Sequence, residues 1–262
     1  ACSALVLIED DIDPIAFCDN FLVELDANGS ATITGNDLDD GSSDNCGISS
    51  LTLSQSTFGC ADVGIVNVVF TATDFNGNQS TCSAIVIVED NIDPIAICQD
   101  ITVQLDDFGN AIITGNDIDN GSSDACGLSS LAVSKSTFTC ADVGPNTVTL
   151  TVTDANLNTV SCTAIVTIED NGDPTAVCQD AVVFLDANGN GTIALADVNN
   201  GSADACGIAS VSLSVTSFDC SNLGANPVTL TVTDINGNSN TCTANVTVQD
   251  NFAPLVPTLN TV

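Results

Sequence analysis

Residues 227–242 read PVTLTVTDINGNSNTC, and residues 71–82 repeat the second part of that frame as TATDFNGNQSTC. Val228, Leu230 and Val232 alternate with threonines, which is the period of a half-buried β-strand. The Asn76-Gly77 pair suits a type I′ turn, so the stretch reads as a hairpin. The strand after the turn carries a cysteine.

Working outward from that hairpin, the cysteines set the organisation. Cys18, Cys98 and Cys178 stand 80 residues apart, as do Cys46, Cys126 and Cys206. Cys60, Cys140 and Cys220 keep the same spacing, as do Cys2, Cys82, Cys162 and Cys242. The text between them repeats as well, with EDNIDPIAICQD at 89–100 returning as EDNGDPTAVCQD at 169–180. The 262 residues therefore divide into repeat 1 (11–90), repeat 2 (91–170) and repeat 3 (171–250). Residues 1–10 match 81–90 and are expected to be the last strand of a preceding repeat. Residues 251–262 begin another unit but put Thr258 where a cysteine would stand, so a different following domain is expected. The chain reads as a segment of a longer protein.

Each repeat offers six or seven short alternating runs separated by Asn-Gly, Asp-Gly and Ser-rich turns. No window of useful length has helical periodicity. The expected fold is all-β: tandem immunoglobulin-like β-sandwiches of 80 residues, set end to end as an extended rod. Phe58, Phe138 and Phe218 recur at one position and are the expected aromatic centres of the three cores.

The composition excludes much. The chain has 34 acidic residues, one lysine, no arginine and no histidine, for a net charge of −33. Without histidine there is no Ser/His or Cys/His catalysis and no imidazole metal site. One cation cannot support nucleic-acid binding or attraction to an anionic membrane face. No apolar run is long enough to span a membrane. Paired carboxylates can hydrolyse glycosides, but a general acid repeated three times in exposed loops makes a poor enzyme, and no enzymatic role or catalytic residue is expected. High charge with 44% hydrophobic residues is not the signature of disorder.

Four cysteines per repeat without C-x2-C pairs point to disulfides made in an oxidising, extracellular setting. Four cysteines allow three pairings. The preferred one joins the early strand to the last strand through Cys18–Cys82, Cys98–Cys162 and Cys178–Cys242. It leaves Cys46–Cys60, Cys126–Cys140 and Cys206–Cys220 to close short loops.

The acidic residues fall into three recurring clusters. The inter-repeat linkers carry Glu9, Asp10 and Asp13, then Glu89, Asp90 and Asp93, then Glu169, Asp170 and Asp173. A loop carries Asp39 and Asp44, then Asp119 and Asp124, then Asp204. The hairpin turn carries Asp74 and Asn76, then Asp154 and Asn156, then Asp234 and Asn236. If the first strand runs away from the linker, the LDANG turn lies at the far pole of the repeat and all three clusters meet at the linker pole. So many oxygens in one place suit Ca²⁺, which takes six to eight. Aspartate and asparagine as plain turn formers are the competing reading. Asp186 to Asp197 fits the spacing of an EF-hand loop, but a strand within it would hold those two residues apart.

DNIDPIAIC at 90–98 and TVTDINGNSNTCTANVTVQD at 231–250 together resemble the hyalin-repeat (HYR) and related immunoglobulin-like modules. In particular the chain is similar to Cys-rich tandem repeats of large Bacteroidota surface adhesins, including gliding proteins exported by type IX secretion. That resemblance implies a cell-surface location and a role in adhesion or gliding motility. It also implies a two-cysteine module at the positions of Cys18 and Cys82, which leaves Cys46 and Cys60 as an added pair.

Taken together, a structural stalk or filament is expected, with Ca²⁺ at the junctions. The partners would be neighbouring repeats of the same chain, with lateral self-association or a surface glycan or protein beyond them. A repeated glycan- or protein-binding module is the alternative, weakened by the absence of tryptophan and tyrosine.

Overall fold

The computed structural model describes residues 3, 5 and 9–252. Cys2 and residues 253–262 lie outside them, as does most of the expected leading strand at 1–10.

Repeat 1 contains β1 (Phe21–Glu24), β2 (Ser30–Thr32), a single helical turn α1 (Gly35–Leu38), β3 (Ile48–Leu53), β4 (Thr57–Gly59), β5 (Gly64–Asp74) and β6 (Gln79–Glu89). Its four-stranded sheet has the order β1-β6-β5-β3, and β2 pairs with β4 to form the opposing layer. β1 runs parallel to β6, with Glu24 opposite Glu89, whereas β5 is antiparallel to both β6 and β3. Isolated bridges from Ile15 to Ser43 and from Cys18 to Asp39 extend the second layer. This is a β-sandwich of immunoglobulin type.

Alternation places the core. Val68, Phe70 and Ala72 of β5 and Ala84, Val86 and Val88 of β6 point inward and are fully buried. They meet Leu25, Ile33, Leu38 and Phe58 from the other layer. Phe58, Phe138 and Phe218 are all buried, in the place expected for the aromatic centres.

The same pattern returns with β7 (Ile101–Gln104), β8 (Asn110–Ile112), α2 (Gly115–Ile118), β9 (Leu128–Val133), β10 (Thr137–Thr139), β11 (Gly144–Asp154) and β12 (Thr159–Glu169). It returns again with β13 (Ala181–Phe184), β14 (Asn190–Thr192), α3 (Leu195–Val198), β15 (Ile208–Leu213), β16 (Ser217–Asp219), β17 (Gly224–Asp234) and β18 (Ser239–Gln249). The sheets keep the order, as β7-β12-β11-β9 and β13-β18-β17-β15.

The chain divides into two compact units. One comprises Ala1–Gln99, Thr114–Ser134 and Thr149–Ala164; the other comprises Asp100–Ile113, Lys135–Val148 and Ile165–Val262. The first holds repeat 1 with the linker pole of repeat 2, and the second holds the far pole of repeat 2 with repeat 3. Each unit thus contains one complete junction between successive repeats.

Within the repeats, Cys18–Cys82, Cys98–Cys162 and Cys178–Cys242 are disulfides with Cα separations of 6.2, 5.9 and 5.9 Å. They join the segment before the first strand to the last strand. The other expected bridges, Cys46–Cys60, Cys126–Cys140 and Cys206–Cys220, do not form. Cys46 lies before β3, at the linker pole, and Cys60 lies after β4, at the far pole beside the Asp26–Gly29 turn. The six residues of β3 alone carry the chain about 20 Å, well past the roughly 7 Å limit on Cα separation in a disulfide.

The repeat junctions as candidate functional site

Cys60 pairs instead with Cys126 of the next repeat, and Cys140 pairs with Cys206. Their Cα separations are 5.1 and 5.2 Å across sequence separations of 66 residues. Each bridge ties the far pole of one repeat to the linker pole of the next. Among the described residues, Cys46 and Cys220 are free and exposed.

The far-pole half of the junction is a tight turn. Asp26 accepts hydrogen bonds from the backbone N–H groups of Asn28 (2.8 Å) and Ser30 (3.1 Å), which closes the turn around Gly29. Those backbone bonds, that of Asn28 first, hold the Asp26 carboxyl below the ordinary value of 3.8. Gly29 has φ +70° and lies against Cys60; a Cβ there would come within 2.7 Å of the Cys60 Sγ and 3.3 Å of the Ala125 Cβ. Gly109 is placed in the same way against Cys140 and Ala205. The glycine therefore lets the next repeat's Ala-Cys pair approach the bridge.

The linker-pole half is acidic. Asp124 Oδ1 accepts from the Cys126 N–H at 2.7 Å, and Asp204 Oδ1 accepts from the Cys206 N–H at 2.8 Å. Asp44 does the same for Cys46 at 2.7 Å. Asp90 meets Asp124 and Cys126, with one candidate ligand atom from each lying within 4.8 Å of the others. Asp170, Asp204 and Cys206 form the equivalent group, as do Asp10, Asp44 and Cys46. Asp90 is buried, and its Oδ2, like Oδ2 of Asp44 and Asp170, has no hydrogen-bond partner. Oδ1 of Asp90 accepts from the Ile92 N–H, but a buried acceptor left without a partner, like Oδ2, costs about 1–3 kcal/mol.

The donor set is two carboxylates plus a sulfur. In Cys126 and Cys206 that sulfur is in a disulfide, so the oxygens are the donors available, and they suit a hard cation. At the second junction a cavity of about 350 Å³ is lined by Asp106, Asp107, Asp170, Asp173 and Asp204. Among the described residues the ion pair of the single lysine is Lys135–Asp142, so it neutralises none of these groups.

Other expected ligands stand elsewhere. Asp74, Asp154 and Asp234 are buried, but each turns onto its own hairpin. Asp154 Oδ1 accepts from the N–H groups of Asn156 and Asn158, both at 2.8 Å, and Oδ2 accepts from the Asn158 side chain at 2.8 Å. For Asp74, burial pushes the carboxyl up, and the hydrogen bonds from Asn78, Asn76 and Gly77 outweigh it and hold it below the ordinary value. Asn76, Asn156 and Asn236 lie in the same turns, where Asn76 and Asn156 give backbone N–H bonds to Asp74 and Asp154. Asp39 and Asp119 cap the following serines, Ser42 and Ser122. The carboxylates of Glu89 and Glu169 accept from the amides of Asn91 and Asn171. Glu9, Asp13 and Asp93 belong to none of the three close groups. Asp186 closes its own turn through Asn188 and Asn190, while Asp197 caps Ala194 across β14, so the EF-hand spacing does not become a loop site.

Asp106 and Asp107 were missed; they belong to the far-pole turn, which the same topology argument carries to the next junction. The last asparagine of each hairpin, Asn78, Asn158 and Asn238, is expected in the junction cluster as an oxygen donor, and the structure gives its amide N–H another role. Asn158 Nδ2 donates to the Asp90 carbonyl at 3.0 Å, and Asn78 and Asn238 do the same for Asp10 and Asp170 at 2.8 and 2.9 Å. The hairpin therefore holds the linker backbone in place and leaves the linker aspartate's Oδ2 without a partner at Asp90 and Asp170.

At Cys46 the thiol is pushed up from its ordinary value, first by its hydrogen bond to Asp10, then by burial and the charges of Asp10, Asp44 and Asp74.

No protein-family model matches the chain, and no curated protein matches it. Among solved structures, it is similar to mouse cadherin-23 extracellular domains 22–24, at 15% identity and TM-score 0.34, over 92% of this chain and all of that one. Sidekick-1 immunoglobulin domains 1–5 match at 9% identity and TM-score 0.37, over 92% of this chain and 60% of that one. Protocadherin gamma B7 extracellular domains 1–4 match at 14% identity and TM-score 0.30 over 73% of this chain, which spans 59% of that chain. Likeness at this level names neither ligand nor partner for this chain.

Proposed function

We propose that the chain is a structural segment of an extracellular surface protein: a stalk in which each repeat is locked to the next by a junction disulfide and by Ca²⁺. The observation that carries this reading is the pair of bridges Cys60–Cys126 and Cys140–Cys206, which run between repeats rather than within them. A binding module strung on a flexible linker has no need of a covalent tie across its joint. A load-bearing or length-setting stalk does, because a covalent link at each joint fixes the angle between neighbours.

Five disulfides support an oxidising location outside the cytoplasm. Ca²⁺ is supported by the unpartnered Oδ2 atoms of Asp90 and Asp170 and by the acidic cavity beside Asp204. Asp90 with Asp124, and Asp170 with Asp204, would hold the ion, which would supply the positive charge the junction lacks. Adhesion, or a gliding role of the kind the hyalin-repeat resemblance implies, would then belong to whatever the stalk displays.

The test is small-angle scattering together with thermal unfolding of the whole chain, with millimolar Ca²⁺ and with chelator, oxidised and reduced. The stalk reading expects a constant long dimension when oxidised, a loss of melting temperature on chelation, and a broadened distribution of dimensions once the junction bridges are reduced. Dimensions that do not change on reduction would overturn it.

A further inference from the structure

The two halves of a junction differ in what holds them. On the far-pole side, the Cys60 Sγ lies 3.8 Å from the Gly29 carbonyl, in the turn that Asp26 closes through the N–H groups of Asn28 and Ser30. Cys140 has the same contact with Gly109, in the turn that Asp106 closes through Phe108 and Asn110. All of those contacts are made within the repeat that carries the cysteine.

On the linker-pole side one carboxylate does two things. Asp124 Oδ1 accepts from the Cys126 N–H at 2.7 Å, and Asp204 Oδ1 accepts from the N–H groups of Cys206 and Gly207 at 2.8 and 3.0 Å. The same carboxylates stand against Asp90 and Asp170, with one oxygen of each and the cysteine sulfur within 4.8 Å of one another. Asp90 is 7% exposed and its Oδ2 has no partner, so a second negative charge this close is poorly screened. The Asp90 backbone is pinned, because the Asn158 amide holds its carbonyl at 3.0 Å. Repulsion therefore acts on Asp124, on the loop before β9, and through Asp124 on Cys126.

Given the Ca²⁺ sites of the stalk reading, on which this rests, we propose that Asp124 and Asp204 couple the cation to the disulfide at each junction, so that Ca²⁺ sets how easily Cys60–Cys126 and Cys140–Cys206 are reduced. With the Asp90–Asp124 pair neutralised, Asp124 stays seated on the Cys126 N–H and keeps Cys126 facing Cys60. With the charges bare, Asp124 swings away and unseats Cys126, which favours the open dithiol. Coupling is reciprocal, so the bridge strengthens Ca²⁺ binding by the same factor by which Ca²⁺ strengthens the bridge. In the reduction, a glutathione thiolate attacks one sulfur of the bridge and releases the other as a protein thiolate. A second glutathione thiolate attacks the mixed disulfide and releases the second protein thiolate and oxidised glutathione. The bridge gains two electrons, and the two protein thiolates take up the protons that two glutathione thiols gave up.

The test equilibrates the purified chain in glutathione buffers of stepped redox ratio, with millimolar Ca²⁺ or with chelator. Thiols are trapped by alkylation, and Asp-N peptides are mapped by mass spectrometry. Removing Ca²⁺ should lower the equilibrium constant for forming both junction bridges about tenfold, within the usual range of coupling between sites. Cys98–Cys162 closes at a sequence separation of 64 and belongs to none of the acidic groups, so it should not shift. Asp124→Asn keeps an acceptor for the Cys126 N–H and removes the charge. It should abolish the Ca²⁺ dependence of Cys60–Cys126 and leave that of Cys140–Cys206 intact; should this variant not fold, the comparison in the parent decides alone. Equal reduction of the junction bridges with and without Ca²⁺, a parallel shift of Cys98–Cys162, or Ca²⁺ dependence that survives Asp124→Asn would overturn the proposal. Calorimetric titration of the oxidised chain with Ca²⁺ separates the two readings. Binding without a redox shift leaves the junction site standing and removes the coupling, whereas no binding removes the site and the coupling with it.

Discussion

The Cα atoms of Cys60 and Cys126 lie 5.1 Å apart although their sequence separation is 66. The two residues belong to different repeats, so the bridge acts on the joint and not on either core. Removing it by the double change Cys60→Ser and Cys126→Ser should cost about 2–4 kcal/mol by the usual effect of a disulfide closing a long loop. Denaturant unfolding measures that loss, and the cores buried around Phe58 and Phe138 should still unfold cooperatively.

Gly29 separates strain from contact. Gly29→Ala places a Cβ within 2.7 Å of the Cys60 Sγ at φ +70°, whereas Gly41→Ala, at φ +89°, meets nothing within 4 Å. Both should lose about 1–2 kcal/mol for the left-handed backbone. Only Gly29→Ala should also release free thiol, counted by alkylation and mass.

Leu157 is a local misfit. It adopts φ +77° at the hairpin position where repeats 1 and 3 have Gly77 and Gly237. The side chain is exposed and contributes little burial. Leu157→Gly should therefore raise stability by about 1 kcal/mol, seen as a higher melting temperature.

Asn158 serves two acceptors with one amide, the Asp90 carbonyl and the Asp154 carboxylate. Asn158→Ala should leave part of a buried carboxylate unsatisfied and cost roughly 1–3 kcal/mol. Amide hydrogen exchange should rise in residues 90–93 ahead of the strands.

The short cap at α1 and α2 predicts an acid limb. Asp37 and Asp117 are held below the ordinary value of 3.8, first by the backbone N–H of Thr34 and Thr114 and then by their hydroxyls. A carboxyl depressed on folding contributes stability that is fully present above its unfolded value and is lost as pH falls through its folded value. The double variant Asp37→Asn and Asp117→Asn should thus be less stable than the parent at neutral pH. The gap should close below pH 3.8, as read by circular dichroism.

Much of this was legible in the residues. The alternation of Val228, Leu230 and Val232 set the buried face of β17, and the 80-residue spacing set the repeats. The recurring phenylalanines fell in the cores because their strands β4, β10 and β16 pair inward with β2, β8 and β14. The second cysteine pairing was not legible. The 13 residues between Cys46 and Cys60 look like a short loop, yet they contain β3 and β4 and cross from one pole to the other. Pairing in three dimensions depends on which pole a residue reaches, and spacing alone does not report that. The same blindness hid Asp106 and Asp107, which act on the repeat after their own. The aspartates of the hairpins were over-assigned because an Asx turn and a metal ligand use the same residue type.

The account rests on covalent ties between repeats, and disulfide mapping of the non-reduced chain tests that most directly. Digestion with Asp-N followed by mass spectrometry should yield linked peptides containing Cys60 with Cys126 and Cys140 with Cys206. Peptides 44–61 and 124–141 each bridged internally and not joined to one another, with Cys206 linked to Cys220, would contradict it.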